Sequence, residues 1–427
     1  MSNFFRKSPL ASACAALATL TGLLVSAPSQ AVSLSQDGQG QVLLYPYYTV
    51  RGGSDTYLSL LNSSDVPILV TVHFRASTDS VLTLKLDLYL AAHDQWTGGV
   101  TATADGAKLI SSDRSCTEPS IPQGGLPLEL NRPNEDVMDV VREGSIQVFE
   151  HGEIVNPAII AAISQTGGAP SCNLEPTPGL AFFGPPTDAL SGTATLINVA
   201  GGTQYSYEPA VLEDFTSEPL WLFGTLDDAQ PAVSQVLDKG RVITSAWERG
   251  SAAVSAVLMH ASLTNEFVLE PTTQSGTDWV VNMPTKGWHQ QSYGVFEPPF
   301  AADKCQYQFA DTVVFRDREG RPNDDDVSTG TPADVAPVMC NDVSVLTFNN
   351  ANLLASAHSE NLAVNLDNGW GEFKFEGELV SLEGHRYKGL PLIGFMVHDF
   401  VNGNVGGLLS NYGGNFNHTY TTDIKTP

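Results

Sequence analysis

Hydrophobic and polar positions at the start of the chain fall into short runs that only strands explain. Residues 42–75 read VLLYPYYTVRGGSDTYLSLLNSSDVPILVTVHFR, with apolar runs at 42–50, 57–61 and 68–74. Gly52-Gly53-Ser54-Asp55 and Asn62-Ser63-Ser64-Asp65 separate those runs, and such clusters between short apolar stretches are turn chemistry. The pattern predicts strand, turn, strand, turn, strand. Alternation becomes strict at 81–90, where Leu82, Leu84, Leu86, Leu88 and Leu90 interleave with Thr83, Lys85, Asp87 and Tyr89. A period of two puts the leucines on one face of a strand, whereas a helix would scatter them.

The same reading predicts strands at 100–104 and 107–110 across Asp105-Gly106, then at 145–150, 191–199, 203–207, 242–247 and 253–261. It continues with 279–283, 312–315, 343–348, 362–365, 371–375, 379–382 and 390–397. Helices are expected at 134–142, capped by Asn134, and more weakly at 208–215 and 232–238. The apolar run 154–163 fits neither period. Residues 165–186 are rich in Gly and Pro, which places a coarse boundary there.

The expected fold is therefore mainly all-β: two β-sandwich-like halves, 32–186 and 187–427, with a few short helices and long loops. A strand ending in Asn recurs at 57–62, 194–198 and 345–349, and more loosely at 279–282. Shared turn chemistry is the favoured explanation, because Asn bonds its own backbone and tolerates positive φ. A sharper one is duplicated sandwich domains that each begin with this strand.

Residues 1–31 stand apart. Arg6 and Lys7 precede a small, apolar stretch at 10–25, and Ser29-Gln30-Ala31 supplies small residues before Val32. That is the pattern of a secretory signal peptide. It implies an exported chain, at the cell surface, in the periplasm or outside the cell. No later stretch is long and apolar enough for a transmembrane helix. Removal of Arg6 and Lys7 takes the formal charge from −26 to −28. Such a chain has no long-range attraction for nucleic acid or anionic lipid.

Four cysteines follow the leader: Cys116, Cys172, Cys305 and Cys340. In an exported chain they read as two disulfides with three pairings open. The sequential pairing keeps each bridge within one half and is favoured.

Candidate chemistry is sparse. There is no G-x-S-x-G elbow and no close metal-binding His pair, so no catalytic residue is assigned. Calcium is the one cofactor the sequence suggests, at the acidic loop that holds Asp317, Glu319, Asp324, Asp325 and Asp326. Calcium takes six to eight oxygens, but the loop lacks EF-hand order and a solvated charged loop explains it better. Asp94 and Trp96, together with Trp370, are candidates for a sugar-binding surface, weighed against burial of large aromatics in a β core.

Several phrases resemble a family of exported proteobacterial proteins of unknown function, some labelled cell-surface or surface-layer-like. They are VLLYPYYTVRGG…TYLSLLNSS (42–64), VHFR (72–75), LDLYLAAHDQWTGGVT (86–101) and REGSIQVFEHGEI (142–154). ATLINVAGGTQYSYEPAVL (194–212) and DWVVNMPTK (278–286) extend the likeness. It implies an exported, mostly β architecture and supplies no catalytic residues. The expectation is a non-enzymatic structural or adhesive protein whose partners are itself or other surface components. The alternative is a secreted hydrolase or carbohydrate-binding protein acting on an extracellular polymer.

Overall fold

A computed structural model describes residues 30–130, 137–174, 179–220, 223–292, 295–301, 313–322 and 339–427. The chain is mainly β, as its alternation predicts, with short helices between the strands.

The first sandwich pairs two antiparallel sheets. One has seven strands, in the spatial order Ser33–Leu34, Ala210–Glu213, Val42–Thr49, Glu143–Glu153, Ile68–Ala76, Leu82–Leu90 and Cys116–Glu118. The other has six: Thr203–Tyr207, Leu190–Asn198, Asp55–Asn62, Gln95–Ala102, Ala107–Ile110 and Leu126–Pro127. Leu43, Tyr45, Leu58, Leu60, Val70, Val72, Leu86, Leu88, Trp96, Ile146 and Val148 interlock between them. Pro46 sits at a bulge, where Tyr45 faces Ile146 and Tyr48 faces Gly144. A residue without an N–H is tolerated there because the ladder is already broken.

The second sandwich packs a five-stranded sheet on a four-stranded one. The five strands run Ser359–Leu362, Val343–Phe348, Gly276–Asn282, Ile393–Phe400 and Tyr412–Asn417. The four run Val313–Asp317, Asn368–Lys374, Ser262–Val268 and Thr419–Thr421. Trp279, Val281, Leu346, Phe348 and Met396 meet Leu263, Phe267, Phe315 and Phe373 between those sheets. The opposite face of the five-stranded sheet, with Val280, Val343, Val345, Phe395 and Val397, joins the core of the first sandwich. Phe395 stacks on Tyr207 there at 4.4 Å. The two sandwiches therefore share apolar surface.

Several elements differ from expectation. Strands Leu190–Asn198, Thr203–Tyr207 and Ala210–Glu213, expected to open the second half, complete both sheets of the first sandwich. The boundary placed at 186 therefore does not separate the sheets. Strand Leu190–Asn198 lies beside Asp55–Asn62, with Thr195 opposite Tyr57. These two Asn-ended strands are neighbours in one sheet and do not begin separate domains. Their asparagines act locally: Asn62 Nδ2 donates to Val66 O and Ala91 O, and Asn198 Oδ1 accepts from Gly201 N.

Residues 210–213 and 233–238 are strands where helices were expected. Strand Val233–Asp238 pairs with Arg241–Ala246 across Lys239 and Gly240, both at positive φ (48° and 80°). That two-residue turn matches the natural twist of a hairpin. Conversely, much of the predicted strand 253–261 is helical, as Gly250–Val257, with all eight residues buried. An apolar run with no wet face carries no period by which to read it. The undecided run 154–163 contains helix Pro157–Ile163, whose N-cap Asn156 accepts from Ala158 N at 2.9 Å and Ile159 N at 3.2 Å. Pro at the first helical position completes the start signal. Of the expected helix 134–142, only Val137–Val140 lies within the described residues as helix.

Candidate functional site

The cysteines and candidate ligands are placed as follows. Cys116 and Cys172 form a disulfide with 5.3 Å between Cα atoms, tying the last strand of the seven-stranded sheet to the segment after helix Pro157–Ile163. Cys340 is also disulfide-bonded, and Cys305 lies outside the described residues. Asp317 ends a strand and faces Arg321: its Oδ1 accepts from the backbone N–H groups of Glu319 and Arg321, and its Oδ2 lies 2.7 Å from Arg321 Nε. Glu319 Oε2 lies 3.1 Å from Arg321 Nη2. Asp324, Asp325 and Asp326 lie outside the described residues. Among the described residues no three His, Cys, Asp or Glu side chains converge as a metal site.

Trp96 is fully buried between the sheets of the first sandwich. Asp94 accepts from Ala91 N, Ser115 Oγ and Gln165 Nε2. Trp370 lies on the four-stranded sheet with the Arg316 guanidinium 5.9 Å from its ring centre. Trp96 and Trp370 thus belong to different sheets and do not face one ligand.

Three polar arrangements escaped the sequence reading. The first lies on the outer face of the seven-stranded sheet. Antiparallel pairing sets Thr71 opposite Asp87 and His73 opposite Lys85. Lys85 Nζ lies 2.6 Å from both Asp87 oxygens, Asp87 Oδ1 is 2.5 Å from Thr71 Oγ1, and Thr71 Oγ1 is 2.6 Å from His151 Nε2. His151 Nδ1 points at Leu220 O, 3.2 Å away. Burial holds His151 down at about 4, against the hydrogen bond to Leu220 that raises it. Thr71 has a single proton, which its hydroxyl donates to Asp87 Oδ1 in the shorter contact, while Lys85 balances the carboxylate. Phe223 covers this chain, its ring 5.6 Å from Lys85 Nζ. The strict alternation at 81–90 was the available signal, and it marked this face only as polar.

The second arrangement joins the sandwiches. Glu143 is fully buried. It accepts from Tyr47 Oη at 2.8 Å, lies 2.8 Å from Arg51 Nε, and accepts from the Ala357 backbone at 2.9 Å. Asn282 Nδ2 donates to Pro46 O at 3.1 Å, and Leu354 N donates to Asp278 Oδ2 at 3.0 Å. Burial raises the Asp278 carboxyl to about 6. Pairing is what makes buried charge tolerable here.

The third surrounds helix Gly250–Val257. Ser255 Oγ lies 2.8 Å from His289 Nε2, from Thr285 Oγ1 and from Ser251 O. This resembles a nucleophile–base pair, but Ser255 is fully buried within the helix. Beside the pair opens a cleft of about 480 Å³ lined by Trp247, Arg249, Ala252, His289, Glu297 and Leu379, among others. Its residues come from four separate parts of the chain, so no local motif announced it.

At another place on the surface, apolar side chains are bare. Hairpin Asn404–Val405/Leu408–Leu409 exposes Val405 and Leu408, the latter at 74%. Leu409 packs at Gly202, in the turn after Val199, which is 81% exposed. Tyr412 and Phe416, on the following strand, are also exposed. Compared with family models and with curated proteins, the chain matches none.

Proposed function

We propose that this chain is an exported, non-enzymatic component of the cell surface or extracellular space, structural or adhesive, that works through surface contact. The observation that carries this reading is the bare hairpin Asn404–Val405/Leu408–Leu409, whose Val405, Leu408 and Leu409 are 61%, 74% and 46% exposed, with Leu409 against the turn at Gly202. Apolar side chains gathered at a surface lose contact with water when a partner covers them, which favours association. The secretory pattern at 1–31 and the resemblance to surface-layer-like proteins agree with it. By contrast, Ser255 and Ser245, which lie 2.8 Å from His289 and His385, are both fully buried.

Cell fractionation combined with sedimentation of the purified mature chain tests the reading. The expected result is surface retention and concentration-dependent assembly, both reduced in the Val405→Glu/Leu408→Glu double variant. A protein that stays monomeric at every concentration and is recovered free in the medium counts against it.

A further inference from the structure

The cleft beside helix Gly250–Val257 is lined by a cation, Arg249, that forms no ion pair among the described residues. Acids outnumber bases in this chain, 47 to 21, and several cations among the described residues pair with them. Arg51, Lys85, Arg142, Lys286, Arg321 and Arg386 all form ion pairs. Arg249 is half-buried in the cleft wall. Its guanidinium makes no ion pair and no hydrogen bond among the described residues, although Glu248 and Glu297 line the same cleft.

Arg249 is also the N-cap residue of the helix, yet its side chain makes no capping bond. The orphan N–H of Ser251 is satisfied by Asp227, whose Oδ1 accepts from Ser251 N at 3.0 Å and Ser251 Oγ at 2.6 Å. The helix start is therefore occupied, and Arg249 has no structural task there. Apolar side chains form part of the wall beside it: Trp247, Ala252 and Leu379 are buried along it, and Pro298 and Leu382 are exposed at its mouth. His289 forms part of the lining, with Nε2 held by Ser255 and a second hydrogen bond to the Pro298 backbone. Burial, and next the charge of Arg249, push His289 down to about 4, so the imidazole beside the guanidinium is neutral near pH 7.

A guanidinium presents a planar fork of donors that matches a carboxylate bidentately, and it is weakly hydrated enough to work in an apolar recess. The cleft volume lies in the range that encloses small organic molecules. Glu248 and Glu297 oppose a second negative charge on any occupant. We propose that this cleft binds a small organic monoanion, with one carboxylate held by Arg249 and an apolar body lying against Trp247, Leu379 and Leu382. This site is independent of the apolar surface group on which the contact reading rests.

Calorimetric titration of the full mature chain tests the site. The probes are the straight-chain monocarboxylates from acetate to decanoate, phenylacetate, their matched primary amides, and succinate. The expected result is saturable binding of at least one monocarboxylate, with its amide at least about tenfold weaker and succinate weaker still. Arg249→Gln should lose about tenfold while retaining a cooperative thermal transition, and Arg249→Lys should lose less, because a point charge replaces part of the fork. The site is overturned if no monocarboxylate saturates, if acid and amide bind alike, if succinate binds tighter, or if folded Arg249→Gln binds undiminished.

Discussion

The five-stranded and six-stranded sheets are built from similar residues but meet water differently. In the six-stranded sheet Leu58 and Leu60 are fully buried, while Tyr57 and Leu61, on the other face, are 43% and 36% exposed. The five-stranded sheet has no such wet face along its central strands: Gly276–Asn282 and Val343–Phe348 are buried at every position. One face meets its own four-stranded partner and the other meets the first sandwich. The difference shows that a strand's pattern reports its coverage as much as its secondary structure. A central strand covered twice has no polar face left to alternate with.

The largest expected effect follows from removing a side chain that fills the doubly covered sheet. Trp279 is fully buried and packs on Phe348 and Phe373 at 5.1 Å and 5.2 Å between ring centres. Trp279→Ala should cost about 3–5 kcal/mol, read from the denaturant midpoint at constant slope. A loss below about 1 kcal/mol would mean this core is not close-packed.

An intermediate effect is electrostatic. On the same strand, burial raises Asp278 from 3.8 to about 6. A carboxyl whose folded value lies above its unfolded value favours the folded state when protonated. Its contribution is therefore full below about pH 4 and is lost as pH rises through about 6. The buried histidines run the opposite way. His260 and His418 are lowered, chiefly by burial, to about 3 and about 4, so their contribution is present above about pH 6.5 and fades as pH falls. The difference between wild type and Asp278→Asn isolates the carboxyl. The variant should gain about 1–3 kcal/mol at pH 8 relative to pH 4, and a pH-independent difference would show that Asp278 titrates as if in water.

The smallest effect belongs to the bare face. Tyr57→Thr should change stability by no more than about 0.5 kcal/mol in thermal or chemical unfolding. A loss comparable to that of Trp279→Ala would show that the outer face of the six-stranded sheet is covered by another chain, and the contrast between the sheets would fail.

What could be read in the sequence divides along the same line. Strands with strict alternation were legible, and Leu82–Leu90 is the clearest case, although its polar face proved to be covered, with Thr83 and Tyr89 buried. The turns around Asn62 and Gly202 were legible too, because positive φ and side-chain-to-backbone bonds are local chemistry. Of the candidate sites, the Cys116–Cys172 bridge was named in advance and formed as paired, and Cys340 is disulfide-bonded as well.

The relay from Lys85 to His151 and the clasp on Glu143 depend on which strands pair, and they bring together residues dozens or hundreds of positions apart. The cleft at Arg249 depends on more: a helix that reads as a strand, and a neighbouring strand, Val233–Asp238, that reads as a helix. Composition and alternation fixed in advance that this chain makes sheets, because a strand's two faces are a property of its own residues. Which faces are covered, and where the side chain of Arg249 comes to line a cleft, was decided only by how those sheets stack. Burial belongs to pairs of surfaces and is written in neither strand alone.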